Sequence, residues 1–192
     1  FSGQQFALEG PHSYSDSDSD SAHHRLSRFN LKTDRPLTLC WEVGGFSQQN
    51  LAQNRQIIEL VTGLADPVPG DRVLDLYCGM GNFSVPLALK AAEVYGIESQ
   101  GSAVRSGKRN CLKNRVDNCH FEKSDVESAC RHLVDRKLGF DIVLCDPPRR
   151  GLPELVAHLT SLTNRKLIYL SCDPATLCRD LDVLTENGLA IT

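Results

Sequence analysis

Hydrophobic residues recur along this chain with two periods. Short apolar runs that end in glycine or an acidic residue read as buried strands. Longer stretches with an apolar residue at every third or fourth position read as helices. From Asp71 onward the two alternate. Strands are expected at 72–76, 93–97, 120–122, 140–145 and 166–171, and helices at 83–91, 102–114, 126–136, 153–162 and 175–185. Pro86 falls in the first turn of its helix, where a missing N–H is tolerated. A sixth strand is expected to begin at 189–192, so that the sheet is cut short. This alternation predicts an α/β fold, a parallel sheet covered by helices on both faces. Ligands of such sheets bind beyond the carboxyl ends of the strands. The polar and glycine-rich motifs fall there: 75–81, Glu98, Asp125, Asp146 and Cys172.

The pattern before Asp71 differs. Residues 29–31 and 37–41 alternate around a turn at 33–36 and predict a hairpin. Gly44-Gly45 then breaks the chain. Residues 49–64 read as an amphipathic helix with Leu51, Ile57, Ile58, Val61 and Leu64 on one side. Residues 13–21 are an alternating Ser/Asp tract without apolar periodicity, expected to be loop or disordered. The expected organisation is an N-terminal segment at 1–45 and one catalytic domain at 46–192, truncated at its C-terminal end.

Composition narrows the classes. The chain has 192 residues, 41% hydrophobic and 23% charged, which is ordinary for one globular domain. No apolar run approaches the roughly 20 residues that span a bilayer, and no signal peptide is visible. The first residue, Phe1, reads as the start of an excised fragment. A net charge of −3 lacks the basic excess common in RNA-gripping proteins. Either nucleic acid is not the partner, or most of the grip lies on segments absent here. Eight cysteines form no CxxC pair and have no histidine at zinc-finger spacing. Several, such as Cys78 and Cys145, sit in apolar runs. They read as buried free thiols in a reducing compartment, the cytoplasm. His23-His24, after the acidic tract, reads as solvated, and no metal is expected.

The loop Asp75-Leu-Tyr77-Cys-Gly79-Met-Gly81-Asn82-Phe83 joins a strand to a helix. Glycines there let the backbone turn and approach a ligand. Alone such a loop is weak evidence. Glu98, at the end of the next strand, strengthens it, because a carboxylate there can bind both ribose hydroxyls. A dinucleotide would need a third glycine where Ser84 stands, and Asp75 would face its pyrophosphate unfavourably. S-adenosylmethionine carries no phosphate. Its sulfonium and α-ammonium favour nearby carboxylates, so it is the cofactor expected here.

Asp146-Pro147-Pro148-Arg149-Arg150-Gly151 follows the fourth strand. Two prolines stiffen the loop and fix the direction of Asp146. An aromatic after such a Pro-Pro would stack a base for amine methylation. Arg149 stands there instead. Arg149 and Arg150 either bind phosphate or an anionic intermediate, or are solvated in a surface turn. Ser171-Cys172-Asp173-Pro174-Ala-Thr-Leu-Cys178-Arg179-Asp180 follows the fifth strand. Cys172 lies near a helix N-terminus, whose dipole favours thiolate. Position and residue type alone leave two readings, a nucleophile or a buried thiol. Cys178, further into the helix, is expected to pack. Arg105, Lys108, Arg109, Lys113 and Arg115 lie on one expected helix, and read either as a solvated face or as an RNA contact.

Together with Phe46-Ser-Gln48-Gln-Asn50, these motifs resemble, in order and spacing, those of the RNA 5-methyluridine methyltransferases, the TrmA/RumA family. The resemblance covers about residues 37–192. It implies a Rossmann-like class I S-adenosylmethionine-dependent sheet with a small N-terminal β segment. It implies that Gln48, Tyr77, Asn82, Glu98, Asp125 and Asp146 line the cofactor and target-base site, with Asp75, Gly79 and Gly81 in the cofactor loop. Asp146, Arg149 and Arg150 would meet the substrate, and Cys172 would attack uracil C6. The implied partner is RNA, an rRNA or a tRNA, and the implied assembly is a monomer. The family's general base is a glutamate beyond the sixth strand, and no glutamate here matches that motif. The chain is therefore expected to bind cofactor and attack uracil without turning over. Many members also carry an N-terminal RNA-binding barrel and an iron–sulfur segment, neither recognisable here, and residues 29–45 read as a remnant of a preceding domain. Two other readings stay open: methylation of another base, and a cofactor-binding fragment without turnover.

Overall fold

A computed structural model describes residues 26–31, 33, 35–42, 50–152 and 155–192. Strands β1 (Leu26–Leu31) and β2 (Leu37–Glu42) form the expected antiparallel hairpin, with Phe29 opposite Leu39 and Leu31 opposite Leu37. Strands β3 (Arg72–Leu76), β4 (Glu93–Glu98), β5 (Cys119–Lys123), β6 (Phe140–Cys145) and β7 (Thr163–Tyr169) form a parallel sheet in the order β5-β4-β3-β6-β7. The helices are α1 (Leu51–Ala65), α2 (Ser84–Leu87), α3 (Gly101–Asn114), α4 (Val126–Asp135), α5 (Val156–Leu162) and α6 (Pro174–Glu186).

The two-residue period of the strands divides the core between the faces of the sheet. Val73, Val94, Ile142 and Leu144 pack with the hairpin, α1, α2 and α3. Leu74, Leu76, Val143 and Cys145 pack with α4, α5 and α6. The hairpin docks on α3 through two asparagines. Asn110, fully buried, accepts from the Cys40 N–H at 2.8 Å and donates to the Cys40 carbonyl at 3.0 Å. Asn114 does the same for Thr38, at 2.8 Å both ways. These amides satisfy backbone groups that β2 would otherwise leave without a ladder.

Strands β4 and β5 lie on one side of β3, and β6 and β7 on the other. The connections therefore diverge between β3 and β6, the switch point where a crevice opens at the carboxyl edge of an α/β sheet. The loops after β3 and β6 border it.

Several expectations need correction. In α1 the buried residues are Asn54, Ile58, Val61 and Ala65, at helical spacing, while Leu64 is 54% exposed. The helix expected over 83–91 keeps α-helical form only at α2. It tightens into turns in which Leu89 and Lys90 donate to Pro86 and Leu87. The carbonyls of Ala88 and Ala91 are taken by the Asn118 amide, at 2.9 Å each. The fifth parallel strand starts and ends earlier than expected. Its register against β6 shifts between Phe140 and Ile142, and its ladder closes with Cys145 opposite Tyr169. Residues 189–192 form no strand. Cys178 is exposed rather than packed, whereas Cys40, Cys78, Cys111, Cys119, Cys130 and Cys145 are buried as expected. On α3, Arg105, Lys108 and Lys113 are exposed, in keeping with a solvated face, and Arg105 also pairs with Glu42 at 3.2 Å.

Candidate active site

The loop after β3 turns through three residues of positive φ: Tyr77 (61°), Gly79 (55°) and Gly81 (85°). Left-handed backbone is uncommon for a tyrosine and is held only where its surroundings dictate it. Burial of the Tyr77 ring raises its hydroxyl pKa, and Glu127 and Arg150 lie within electrostatic range of it. The two glycines serve different ends. A Cβ on Gly79 would meet open space, so the backbone there is bare. A Cβ on Gly81 would come within 2.6 Å of the Phe121 ring. Gly96 and Gly107 are closed off by the same ring, at 3.0 and 2.7 Å. Phe121, on β5, is thus the buried wedge against which β4, α3 and the loop are fitted. Its weak strand gave no sign of this.

Glu98 ends β4 and reaches back to the loop. It accepts from the Gly79 N–H at 3.1 Å and from the Gln100 N–H at 2.7 Å. Oε1 also accepts from Ser99 Oγ at 3.1 Å, so Oε2 is the oxygen with a lone pair still to offer. Asn82 pairs with Asn54 of α1 through reciprocal amide hydrogen bonds of 2.9 and 3.0 Å. Nothing in the sequence pattern marked Asn54, which reads as a polar interruption of an apolar face. Asp125 is exposed and caps α4 by accepting from the Ser128 N–H at 2.9 Å, which holds its carboxyl below the ordinary value. Gln48 lies outside the described residues, as do the Ser/Asp tract and His23-His24.

Asp75 is fully buried and accepts a hydrogen bond from Ser84 Oγ. Its other oxygen, Oδ1, is buried with no hydrogen-bond partner. Burial raises its carboxyl from 3.8 to about 7, and the nearby Asp146 and Glu98 charges push the same way. Burial also raises Asp146 to about 6. Three carboxyl groups therefore bear on one crevice. They disfavour an anion there and favour a cation.

The other side of the crevice is built on the loops after β6 and β7. Pro147 is buried and Arg149 and Arg150 are exposed. Arg150 reaches Glu127 at 3.4 Å. Cys172 is exposed on the turn into α6. Asp173 is the N-cap and accepts from the Ala175 and Thr176 N–H groups at 3.0 and 3.2 Å. Ser171 folds over it, donating to the Asp173 carbonyl at 2.9 Å. Cys172 thus stands on a well-braced turn, one residue before the cap, with its thiol open to solvent. Asp180 lies within the quoted motif, but the pattern gave it no role. It is 1% exposed and gathers donors from three elements. The described residues of the sequence-derived site thus all sit at one edge. In strand order they run Asp125, Glu98, the Tyr77–Asn82 loop with Asp75, the Asp146–Arg150 loop and Cys172.

A protein-family model described as tRNA (Uracil-5-)-methyltransferase matches residues 30–189. The chain is 40% identical over 159 residues to the 23S rRNA (uracil(1939)-C(5))-methyltransferase RlmD of Klebsiella pneumoniae subsp. pneumoniae, covering 83% of this chain and 37% of that protein. It is 40% identical over 155 residues to the RlmD of Pseudomonas aeruginosa, covering 81% and 34%. It therefore spans about a third of the length of these curated relatives. Among solved structures, the Pyrococcus abyssi tRNA (uracil-54, C5)-methyltransferase, in complex with S-adenosyl-L-homocysteine, is 30% identical with a TM-score of 0.65, covering 90% of this chain and 43% of that one. The T. Thermophilus 16S rRNA N2 G1207 methyltransferase (RsmC) has a TM-score of 0.65 at 23% identity, covering 84% and 45%, which speaks to the fold alone. With the sheet order, the edge-borne motifs and a family match that runs through all five parallel strands, the chain belongs to the tRNA (uracil-5-)-methyltransferase family.

Proposed function

We propose that this chain is the catalytic part of an enzyme that methylates C5 of uracil in RNA, an rRNA or a tRNA, with S-adenosylmethionine as methyl donor and Cys172 as nucleophile. The observation that carries the reading is the solvent-open thiol of Cys172, on a capped turn at the same sheet edge as a glycine loop ringed by carboxyl groups. The residues fit the cofactor. Gly79 leaves open space above the backbone, Asp75 Oδ1 is buried without a partner, and a cationic ligand would relieve the clustered negative charge. Glu98 would take the ribose hydroxyls, with Tyr77, Gly79, Gly81, Asn82 and Asp125 lining the cofactor and Gln48 completing the set. The homologous Pyrococcus abyssi enzyme was solved with S-adenosyl-L-homocysteine.

C5 of uracil is a poor nucleophile. The Cys172 thiolate adds to C6, forming an S–C6 bond, and the C5–C6 π electrons pass into an enolate with carbanion character at C5. When bound, S-adenosylmethionine supplies an electrophilic methyl group on its sulfonium, for which that carbon is the acceptor. A general base, for which no glutamate of this chain matches the family motif, then takes the C5 proton. The C5–H electron pair re-forms the C5–C6 double bond as the C6–S bond breaks and the Cys172 thiolate leaves. Asp146, Arg149 and Arg150 would hold the pyrimidine and the charge that develops on it. The base must leave its stack to reach them. An exocyclic-amine target is disfavoured by Arg149, which stands where an aromatic would stack the base.

The test uses the full-length protein and RNA containing 5-fluorouracil, whose C5 carries no proton to lose. Wild type should form an adduct that resists denaturation, and Cys172→Ala should form none. An adduct surviving that change would remove Cys172 from the mechanism. Methyl groups found on cytidine after digestion of a natural substrate would overturn the choice of base.

A further inference from the structure

The loop after β6 meets the end of β7 and α6, the two elements that flank the turn bearing Cys172, at one buried carboxylate. Asp180 Oδ2 accepts from the Leu152 N–H at 2.7 Å and from the Tyr169 hydroxyl at 2.6 Å. Its Oδ1 accepts from Arg179 Nε at 2.9 Å and Nη2 at 2.7 Å. The same Nη2 donates to the Arg150 carbonyl at 2.9 Å. Gly151 has φ of 68°, and a Cβ there would collide with Asp180 Oδ2 and the Arg179 guanidinium. The chain that carries Arg149 and Arg150 is therefore pressed against Asp180. Burial would raise the Asp180 carboxyl. The hydrogen bonds from Tyr169, Leu152 and Arg179 outweigh that and hold it below the usual aspartate value. An ionised carboxylate with four charge-assisted or short contacts is a rigid joint rather than a surface ion pair.

We infer that Asp180, with Arg179 and Tyr169, is a positioning residue that fixes the substrate-side loop (146–152) against the Cys172 turn, so that the target base is held and attacked in one register. The inference rests on the uracil-C5 reading above. It goes further by naming a residue that touches neither base nor cofactor and acts through the two loops. Geometry decides why aspartate is needed. An asparagine has one acceptor and one donor end. In either orientation its NH2 would point at existing donors, either the Arg179 guanidinium or the Leu152 and Tyr169 groups. The joint must open on one side while the volume stays the same. A displacement of about 1 Å between nucleophile and substrate contacts is enough to cost on the order of 100-fold in rate.

The test measures three things on full-length wild type, Asp180→Asn and Tyr169→Phe. They are S-adenosylmethionine binding by calorimetry, the single-turnover rate of adduct formation on 5-fluorouracil RNA at saturating RNA, and the KM for that RNA. Asp180→Asn should bind cofactor with unchanged stoichiometry and affinity, because the cofactor loop is held by Glu98, Asn54 and Phe121, and Asp146 is tied to β3 by its own N–H on the Leu76 carbonyl, whereas the joint grips the loop at Arg150 and Leu152. Its adduct rate at saturating RNA should fall about 100-fold. Tyr169→Phe removes one of the donors and leaves the Arg179 clamp, so its adduct rate should lie between the two. An Asp180→Asn protein whose cofactor stoichiometry falls in step with its adduct yield would show a merely structural residue and overturn the inference. So would an adduct rate equal to wild type in Asp180→Asn. If Asp180→Asn does not fold, Tyr169→Phe decides: a wild-type adduct rate there overturns the inference. Failure of wild type to form any Cys172-dependent adduct would instead reject the uracil-C5 reading, and so the two failures are distinguishable.

Discussion

Around β3, β4 and β5 the side chains of the candidate site are tied down. Glu98 holds the Gly79 and Gln100 N–H groups, Asn82 is locked to Asn54, and three glycines close on Phe121. Around β6 and β7 the backbone is braced, through Asp173 and Asp180, yet the side chains with chemistry to offer stand in solvent: Arg149, Arg150 and Cys172. The difference matches the two tasks proposed. A small cofactor enters the same cradle each turnover, and a preformed cradle spends none of its binding energy on ordering. A base swung out of RNA must be met by groups that reach, and these are better left mobile on a fixed frame.

The strongest way to break that contrast is at Phe121. Phe121→Ala removes the ring that three elements share, and should destabilise the protein by about 3–5 kcal/mol. Gly107→Ala should cost about 1–3 kcal/mol by overpacking, since its new methyl would meet the ring at 2.7 Å. Both are read from urea unfolding midpoints. Arg149→Ala, on the open side, should stay within about 0.5 kcal/mol of wild type. If Phe121→Ala cost no more than Arg149→Ala, the two halves would not differ in the way described.

The pattern of the sequence reveals the frame of this contrast and misses its joints. The strand at 140–145 and the hairpin could be read directly, because buried parallel strands are near-continuous apolar runs and alternation on both sides of a turn signals a hairpin. The carboxyl-edge motifs were legible for the same reason: glycine and acidic residues at strand ends are out of keeping with a core. Phe121 was not, because one aromatic in a five-residue strand looks like any other core residue until the glycines opposite it are located in space. Asn54, Asn110 and Asp180 were invisible for the converse reason. A buried polar residue is recognised by its partners, and these lie 28, 70 and 28 positions away in the chain. The short α2 followed from Asn118, 27 and 30 residues downstream, which takes carbonyls that a longer helix would have used itself.

A second effect sharpens the electrostatic side of the comparison. In the folded protein the Asp75 carboxyl is raised from 3.8 to about 7, chiefly by burial. The folded state then holds a proton that the unfolded chain releases over this range. The stability from Asp75 is complete below about pH 4 and is lost as pH rises through 7, at up to about 1.4 kcal/mol per pH unit. Asp146, raised to about 6 by burial, acts with the same sign over a narrower window. Asp75→Asn should therefore flatten the fall of Tm between pH 5 and 8 in calorimetric scans, leaving the residual slope that Asp146 contributes. Parallel wild-type and variant curves would mean that Asp75 ionises normally. Under the proposed function, cofactor binding at pH 6 should also release protons, seen as a dependence of the binding heat on the ionisation enthalpy of the buffer.

The smallest effect is expected at the Glu127–Arg150 pair, which joins α4 to the substrate-side loop. Its separation is 3.4 Å and the Arg150 side chain is 70% exposed. Such a pair in water contributes no more than about 1 kcal/mol, and salt screens it further. Glu127→Gln should therefore shift the urea midpoint barely at all. Its consequence lies in binding. The backbone of Arg150 stays fixed through Arg179, so the substitution frees the guanidinium without moving the loop. If Arg150 meets an RNA phosphate or a developing anion, removing its carboxylate competitor should tighten RNA binding at low salt, and the gain should fade as salt is raised. Weaker binding at every salt concentration would show that Glu127 orients Arg150 rather than competes for it. The open side of the crevice would then be as preorganised as the cofactor side.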